Sequence, residues 1–116
     1  MGLVVDTEVK NNVLCVRLVG ELDHHAADEL RETLVNRIAK HDTKHIVFNL
    51  EGLSFMDSSG LGVILGRYKQ VQSIGGRVYV CAISAPVRRL FDMSGMFKIL
   101  TLADDEDRCL EALGVA

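Results

Sequence analysis

The run His45-Ile46-Val47-Phe48-Asn49-Leu50 is a strand by composition and length, and Arg77-Val78-Tyr79-Val80-Cys81-Ala82 is another. Between them, over residues 58–73, Leu61, Ile64, Leu65, Tyr68 and Val71 recur at the spacing of one helical face, and Gly75-Gly76 ends the helix. A strand-helix-strand unit of this length requires parallel strands joined by a right-handed crossover. That unit sets the class of the fold as α/β.

Working outward, residues 3–9 and 13–20 are rich in Val and Leu and are separated by Lys10-Asn11-Asn12, which predicts a β-hairpin. In the second of these strands Leu14, Val16 and Leu18 point one way and Val13, Cys15 and Val19 the other, so both faces are apolar and both are at least partly covered. Over 24–40 the period changes: Ala26, Leu30, Leu34 and Ile38 form an apolar stripe among charged positions, an amphipathic helix. Downstream, Pro86 suits the first turn of a helix running to about Ser94, with Gly95 as its stop. A short strand at 98–102 and a helix at 104–113 follow. Asp104, Asp105, Glu106 and Asp107 lie where a helix dipole favours negative charge, so they read as an N-terminal turn.

The expected order is β-β-α-β-α-β-α-β-α, a mixed, mostly parallel sheet of four or five strands with about four helices. It forms one domain over 1–116, without linker or repeat. A chain of 116 residues can bury a full core without disulfides or metals. Sixteen acids against thirteen bases give a formal charge of −3, unlike the basic surfaces that neutralise nucleic-acid phosphates. Cys15, Cys81 and Cys109 are odd in number and far apart in sequence, with no Cys-x-x-Cys pair, and read as small core residues of a reducing compartment. The N-terminus has no signal-peptide pattern, and no apolar run approaches the ~20 residues of a membrane span, so a cytoplasmic location without membrane attachment is expected.

Parallel strands gather their C-terminal connections on one edge of the sheet, where open α/β sheets place their sites. Here the connections are 21–25, 54–60 and 83–86. The middle one is the most informative. Asp57, Ser58 and Ser59 precede a helix, and Gly60 and Gly62 fall in its first turn, where glycine costs about 1 kcal/mol relative to alanine unless a close approach needs it. A serine at such a helix start suits either capping or phosphorylation, since the free N–H groups can serve a hydroxyl or a phosphate. Asp23 reads as the cap of the first helix or as a contact for a basic partner side chain.

Enzymatic readings are weaker. The glycines suggest a small nucleotide-binding α/β module as an alternative, yet the Lys-Ser/Thr ending of a P-loop is missing. No Gly-x-Ser-x-Gly elbow is present. His24 and His25 are adjacent and expected to diverge, and the helix break at Asp42-Thr43 separates His41 from His45, so no metal and no cofactor are expected.

Gly20-Glu21-Leu22-Asp23-His24-His25, LSFMDSSGLGVILGRY over 53–68 and VCAISAPVRRLFDMSG over 80–95 closely resemble the STAS-family anti-sigma factor antagonists, notably those of sporulation. The likeness covers essentially the whole chain. It implies a single STAS domain that acts as a non-enzymatic switch. The unphosphorylated form would bind an anti-sigma factor that is also a serine kinase and so free the sigma factor. That kinase would use ATP to phosphorylate the antagonist, and a PP2C-type phosphatase would restore it. Carried onto this chain, the phosphoacceptor is Ser58. The binding face expected from the shared sheet edge comprises Asp23, His24, Asp57, Ser59, Gly60, Leu61, Gly62, Ser84, Pro86 and Leu90, with Leu61 and Leu90 as exposed apolar positions. A non-phosphorylated STAS subunit of a larger assembly is a further reading, disfavoured by the intact serine block.

Overall fold

The computed structural model describes residues 2–115. Strand β1 (Leu3–Lys10) turns at Asn11, in left-handed conformation at φ 55°, into β2 (Val13–Leu22). There follow α1 (His24–Lys40), β3 (His45–Met56), α2 (Ser58–Gln72), β4 (Val78–Cys81), α3 (Ala85–Ser94), a single 3-10 turn (Met96–Lys98), β5 (Thr101–Ala103) and α4 (Glu106–Ala112). The five strands lie in the spatial order β1-β2-β3-β4-β5; β1 pairs antiparallel with β2 and every other pair is parallel. No helix among the described residues is long and apolar enough to cross a membrane.

This order has a simple consequence. Each parallel connection steps one strand over in the same direction, so right-handed crossovers place α1, α2 and α3 on one face. The main core forms there: Leu14, Val16, Leu18, Phe48, Leu50 and Val80 of the sheet pack against Leu30 and Leu34 of α1, Ile64 of α2 and Phe91 of α3. The opposite face carries a smaller cluster of Val13, Cys15, Val47, Tyr79 and Cys81 beneath Cys109 and Leu110 of α4. Both faces of β2 are thus covered at its start; Val19, expected on the second apolar face, is 51% exposed beyond the reach of α4. Because the winding never reverses, the sheet has no switch point and no crevice of the dinucleotide-binding kind among the described residues.

Three boundaries differ from expectation. The strand expected over 45–50, with a connection from 54, runs on as β3 to Met56. Register shifts against β2 between Arg17 and Val19 and between Gly20 and Glu21 absorb the irregularity, and Ser54 Oγ donates to the Gly20 carbonyl at 3.0 Å. Gly95, left-handed at φ 75°, ends α3 but then feeds the 3-10 turn, in which Lys98 N–H donates to the Gly95 carbonyl at 3.0 Å. That turn occupies the start of the segment expected as strand, so β5 begins only at Thr101. Helix α4 starts at Glu106 because Asp105 caps it, its carboxylate accepting the Arg108 N–H at 2.9 Å.

Glu106 has a second role that its place in an acidic run conceals. Arg17 Nε donates to it at 2.7 Å and Arg17 Nη2 at 2.9 Å, while Asn49 Nδ2 adds a third bond at 2.9 Å. Asp6 and Glu8 complete the ring around the same guanidinium at 2.9 and 2.8 Å. Arg17 therefore fastens the start of α4 to the sheet. The guanidinium hydrogen bond holds the Glu106 carboxyl below its ordinary pKa against the opposing effect of burial.

Candidate functional site

Leu22 and Met56 are register partners at the ends of β2 and β3, so the residues that follow them, Asp23 and Asp57, stand side by side. The Asp57 N–H donates to the Leu22 carbonyl at 3.3 Å and ties the two turns together. Each aspartate caps a helix. Asp23 Oδ1 accepts the Ala26 N–H at 3.0 Å, which lowers its pKa, and Asp57 Oδ1 accepts the Ser59 N–H at 2.9 Å.

The second of these bonds resolves a choice left open by the sequence. The cap of α2 is Asp57, not a serine, and Ser58 is the first helical residue with its side chain exposed. The Asp57 carboxylate already occupies the Ser59 N–H, and the Asp57 carbonyl accepts those of Gly60 and Leu61, so these are not free for a bound nucleotide phosphate. That counts against the nucleotide-binding alternative.

The expected face separates into exposed and buried parts. His24, Ser58, Gly62 and Pro86 are exposed, and Asp23, Asp57, Ser59, Ser84 and Leu90 are half-buried. Leu61, expected to be exposed, is not: at 8% exposure it belongs to the main core, on the same apolar stripe of α2 as Ile64. Gly60 is buried as well. A Cβ there would lie 2.7 Å from Met56 Cγ and 2.9 Å from two Leu22 carbons, so this glycine lets α2 sit close on the strand ends. Gly62 is the opposite case, since a Cβ at this position would meet nothing within 4 Å. Its bare backbone is open to an approaching surface.

The third connection is set differently from the first two. Cys81, the last residue of β4, pairs with Asn49, and β3 then runs on past it to Met56. Ala82 turns the chain at φ 57° and Ser84 begins α3 without a side-chain cap bond, its hydroxyl oxygen buried and unpartnered. Helix α3 flanks the projecting end of β3, and Pro86 and Leu90 share with Phe55 and Met93 a shallow cavity of about 290 Å³. Phe55 and Met93 are 47% and 81% exposed and escaped the sequence reading. Treating 54–56 as a connection removed the strand alternation that points Met56 inward and Phe55 outward.

The histidines hold no metal-like arrangement. The rings of His24 and His25 do not diverge but pack with centroids 4.0 Å apart. His45 Nδ1 accepts the Arg77 N–H at 3.0 Å, so that lone pair is committed. No cluster of three or more His, Cys, Asp or Glu side chains suited to a metal occurs among the described residues.

A singly wound α/β sheet that presents an exposed serine and an open glycine turn at its strand ends has the design of a docking domain. The family model of the STAS domain matches residues 4–109, and the chain belongs to that family. It is 50% identical to an anti-sigma F factor antagonist of Paenibacillus polymyxa, over 99% of this chain and 98% of that protein. An anti-sigma F factor antagonist of Lysinibacillus sphaericus is 36% identical over 92% of each. The solved structure of the anti-sigma factor antagonist SpoIIAA in its unphosphorylated form superposes with a TM-score of 0.85 at 33% identity, covering 97% of this chain and 99% of that one. SpoIIAA has also been solved in a phosphorylated form, with a TM-score of 0.76. These relatives are non-enzymatic regulators, and this chain is of the same kind.

Proposed function

We propose that this protein is an anti-sigma factor antagonist of sporulation: unphosphorylated, it binds an anti-sigma factor that is also a serine kinase and so frees the sigma factor. Phosphorylation of Ser58 by that kinase turns the antagonist off, and a PP2C-type phosphatase turns it on again. All three act in the cytoplasm, and the antagonist needs no cofactor of its own. The observation that carries this reading is the placement of Ser58, exposed on the first turn of α2 beside a cap supplied by Asp57. Its modification leaves the helix start intact.

The switch is electrostatic. A phosphate adds about −1.5 to −2 charges and three acceptor oxygens. At Ser58 it stands next to Asp57, which is already engaged with the Ser59 N–H, so the dianion gains no vacant cap and projects into the docking face. Repulsion and poor desolvation there cost several kcal/mol, and each 1.4 kcal/mol is a tenfold loss of affinity. The fold itself has no reason to change.

The test is incubation with ATP and the candidate anti-sigma kinase, followed by phosphosite mapping by mass spectrometry. Phosphate is expected in wild type and Ser59→Ala and absent from Ser58→Ala; phosphate retained in Ser58→Ala overturns the assignment. In titration calorimetry, Ser58→Asp and Gly62→Asp weaken kinase binding while the circular dichroism spectrum stays native. Unchanged binding by both rejects the face.

A further inference from the structure

The outermost strand, β1, has no strand beside its outer edge, so the N–H and C=O groups on that side are left without a ladder partner. Its side chains alternate. Asp6 and Glu8 turn to the back of the sheet and to Arg17, whereas Leu3, Val5 and Thr7 turn to the helix face and are only half-buried there. Helix α1 runs alongside with a stripe of its own, since Ala26, Leu30 and Thr33 lie at the spacing of one helical face. The two rows enclose a groove of about 760 Å³, a size that takes a ligand. Leu3, Val5, Ala26 and Leu30 give it an apolar floor. At its far end Arg37 Nη1 donates to Thr7 Oγ1 at 2.9 Å and closes it.

The near end of the groove lies at the docking edge. Glu21 and Asp23 line it at that end, and Glu29 follows about one turn further along α1. Three carboxylates thus line the groove against the single guanidinium of Arg37. Neither Glu21 nor Glu29 is in an ion pair among the described residues.

We propose that this groove is a binding site for an extended, basic peptide segment of another protein, which adds to β1 as a sixth strand and seats alternate apolar side chains between β1 and α1. Main-chain hydrogen bonds to the free edge supply affinity, and the groove selects the side chains. From Leu3 to Thr7 the strand spans about 13 Å, enough for two alternate side chains to enter. A lysine or arginine at the near end meets Glu21 and Glu29, which lack a cation within the chain. A second copy of this chain fits less well, because the groove and the neighbouring Asp6 and Glu8 are acidic in both copies, and pairing brings like charges together. The groove runs down α1, away from the turn of α2 that presents Ser58, so this site and the switch are separate surfaces that share only Asp23.

The experiment pans a random heptapeptide library displayed on phage against the folded chain, then maps an enriched peptide by NMR titration and amide hydrogen exchange. Enriched sequences are expected to alternate apolar with polar residues and to carry lysine or arginine. The synthetic peptide shifts the amides of 3–7 and 25–37 and slows exchange along β1. Glu29→Lys, a change at an exposed position, weakens the same peptide about tenfold while the circular dichroism spectrum stays native. No enrichment, enrichment of acidic peptides, shifts confined to other elements, or binding without slowed exchange in β1 would each overturn the proposal, and wild-type mapping alone decides this if the variant fails to fold. An unchanged affinity in folded Glu29→Lys overturns it too. A concentration-dependent dimer in sedimentation that itself protects the β1 amides gives the groove to a second copy and likewise overturns it.

Discussion

On one face of the sheet three helices cover the strands with a continuous apolar core; on the other a single seven-residue helix covers five buried strand residues and is tied down by an arginine in a ring of carboxylates. The first face depends on area, which stabilises in proportion to what is buried and needs no particular partner. The second depends on a few directed contacts, Arg17 and Asn49 to Glu106. A layer held this way can open without unfolding the domain. The docking edge belongs to the first face, since the helices that start there, α1, α2 and α3, are all rooted in the main core.

The comparison is broken most directly by emptying each side in turn. Phe91 is fully buried in the main core, and Phe91→Ala is expected to cost about 3–5 kcal/mol in denaturant unfolding. Leu110, under α4, is 5% exposed, and Leu110→Ala costs about 2 kcal/mol because the short helix can settle into the space. Equal losses would show that α4 is as much a part of the cooperative core as α3.

Two glycines of α2 sharpen the contrast between packed and open surface. Gly60→Ala puts a methyl group against Met56 and Leu22 and is expected to destabilise by about 1–2 kcal/mol, since overpacking outweighs the better helix propensity. Gly62→Ala meets nothing and gains up to about 1 kcal/mol in the free protein. A destabilised Gly62→Ala in thermal melts would mean that the exposed turn is closed by a neighbour, and the docking face would lose its most open point.

Glu106→Gln tests the directed contacts. The Arg17 hydrogen bonds lower the Glu106 pKa in the folded protein, so its contribution is present above the ordinary glutamate range and is lost as pH falls through the lowered value. The variant is expected to lose about 1–2 kcal/mol at pH 7, and the difference from wild type shrinks towards zero on acidification. A pH-independent difference would assign the loss to packing instead of charge.

The same division explains what could be read from the sequence. The main face was legible because its signals are local: Leu30, Leu34 and Ile38 recur within α1, and Gly75-Gly76 and Gly95 punctuate α2 and α3. The helices and strands follow from such periodicities, and Ser58 and Asp57 stand out beside the glycines. The back face is written in pairs far apart in the chain. Nothing near Arg17 announces Glu106, 89 positions away (106 − 17), and nothing near Cys81 places Cys109 in the same cluster. At the edge, Leu61 belongs to the apolar stripe it shares with Ile64 and Val71, and its closeness to the serines does not bring it to the surface.

The smallest expected effect concerns the third connection. Ala82 has φ 57°, where the Cβ of an L-residue crowds the following carbonyl at a cost of about 1–2 kcal/mol. Asn11 and Asp42 share this conformation at φ 55° and 52°, but their short polar side chains tolerate it. Ala82 has no such relief and lies between Cys81 and the start of α3, so strain is stored where the back face meets the docking edge. Ala82→Gly removes the crowding and adds backbone entropy to the unfolded chain worth about 0.5–1 kcal/mol, leaving a net gain of roughly 0.5 kcal/mol. A rise of that size in the denaturant midpoint, without a change in slope, is expected. A fall would show that the half-buried Ala82 methyl group packs more strongly than its backbone is strained, and the third connection would then be as rigid as the first two.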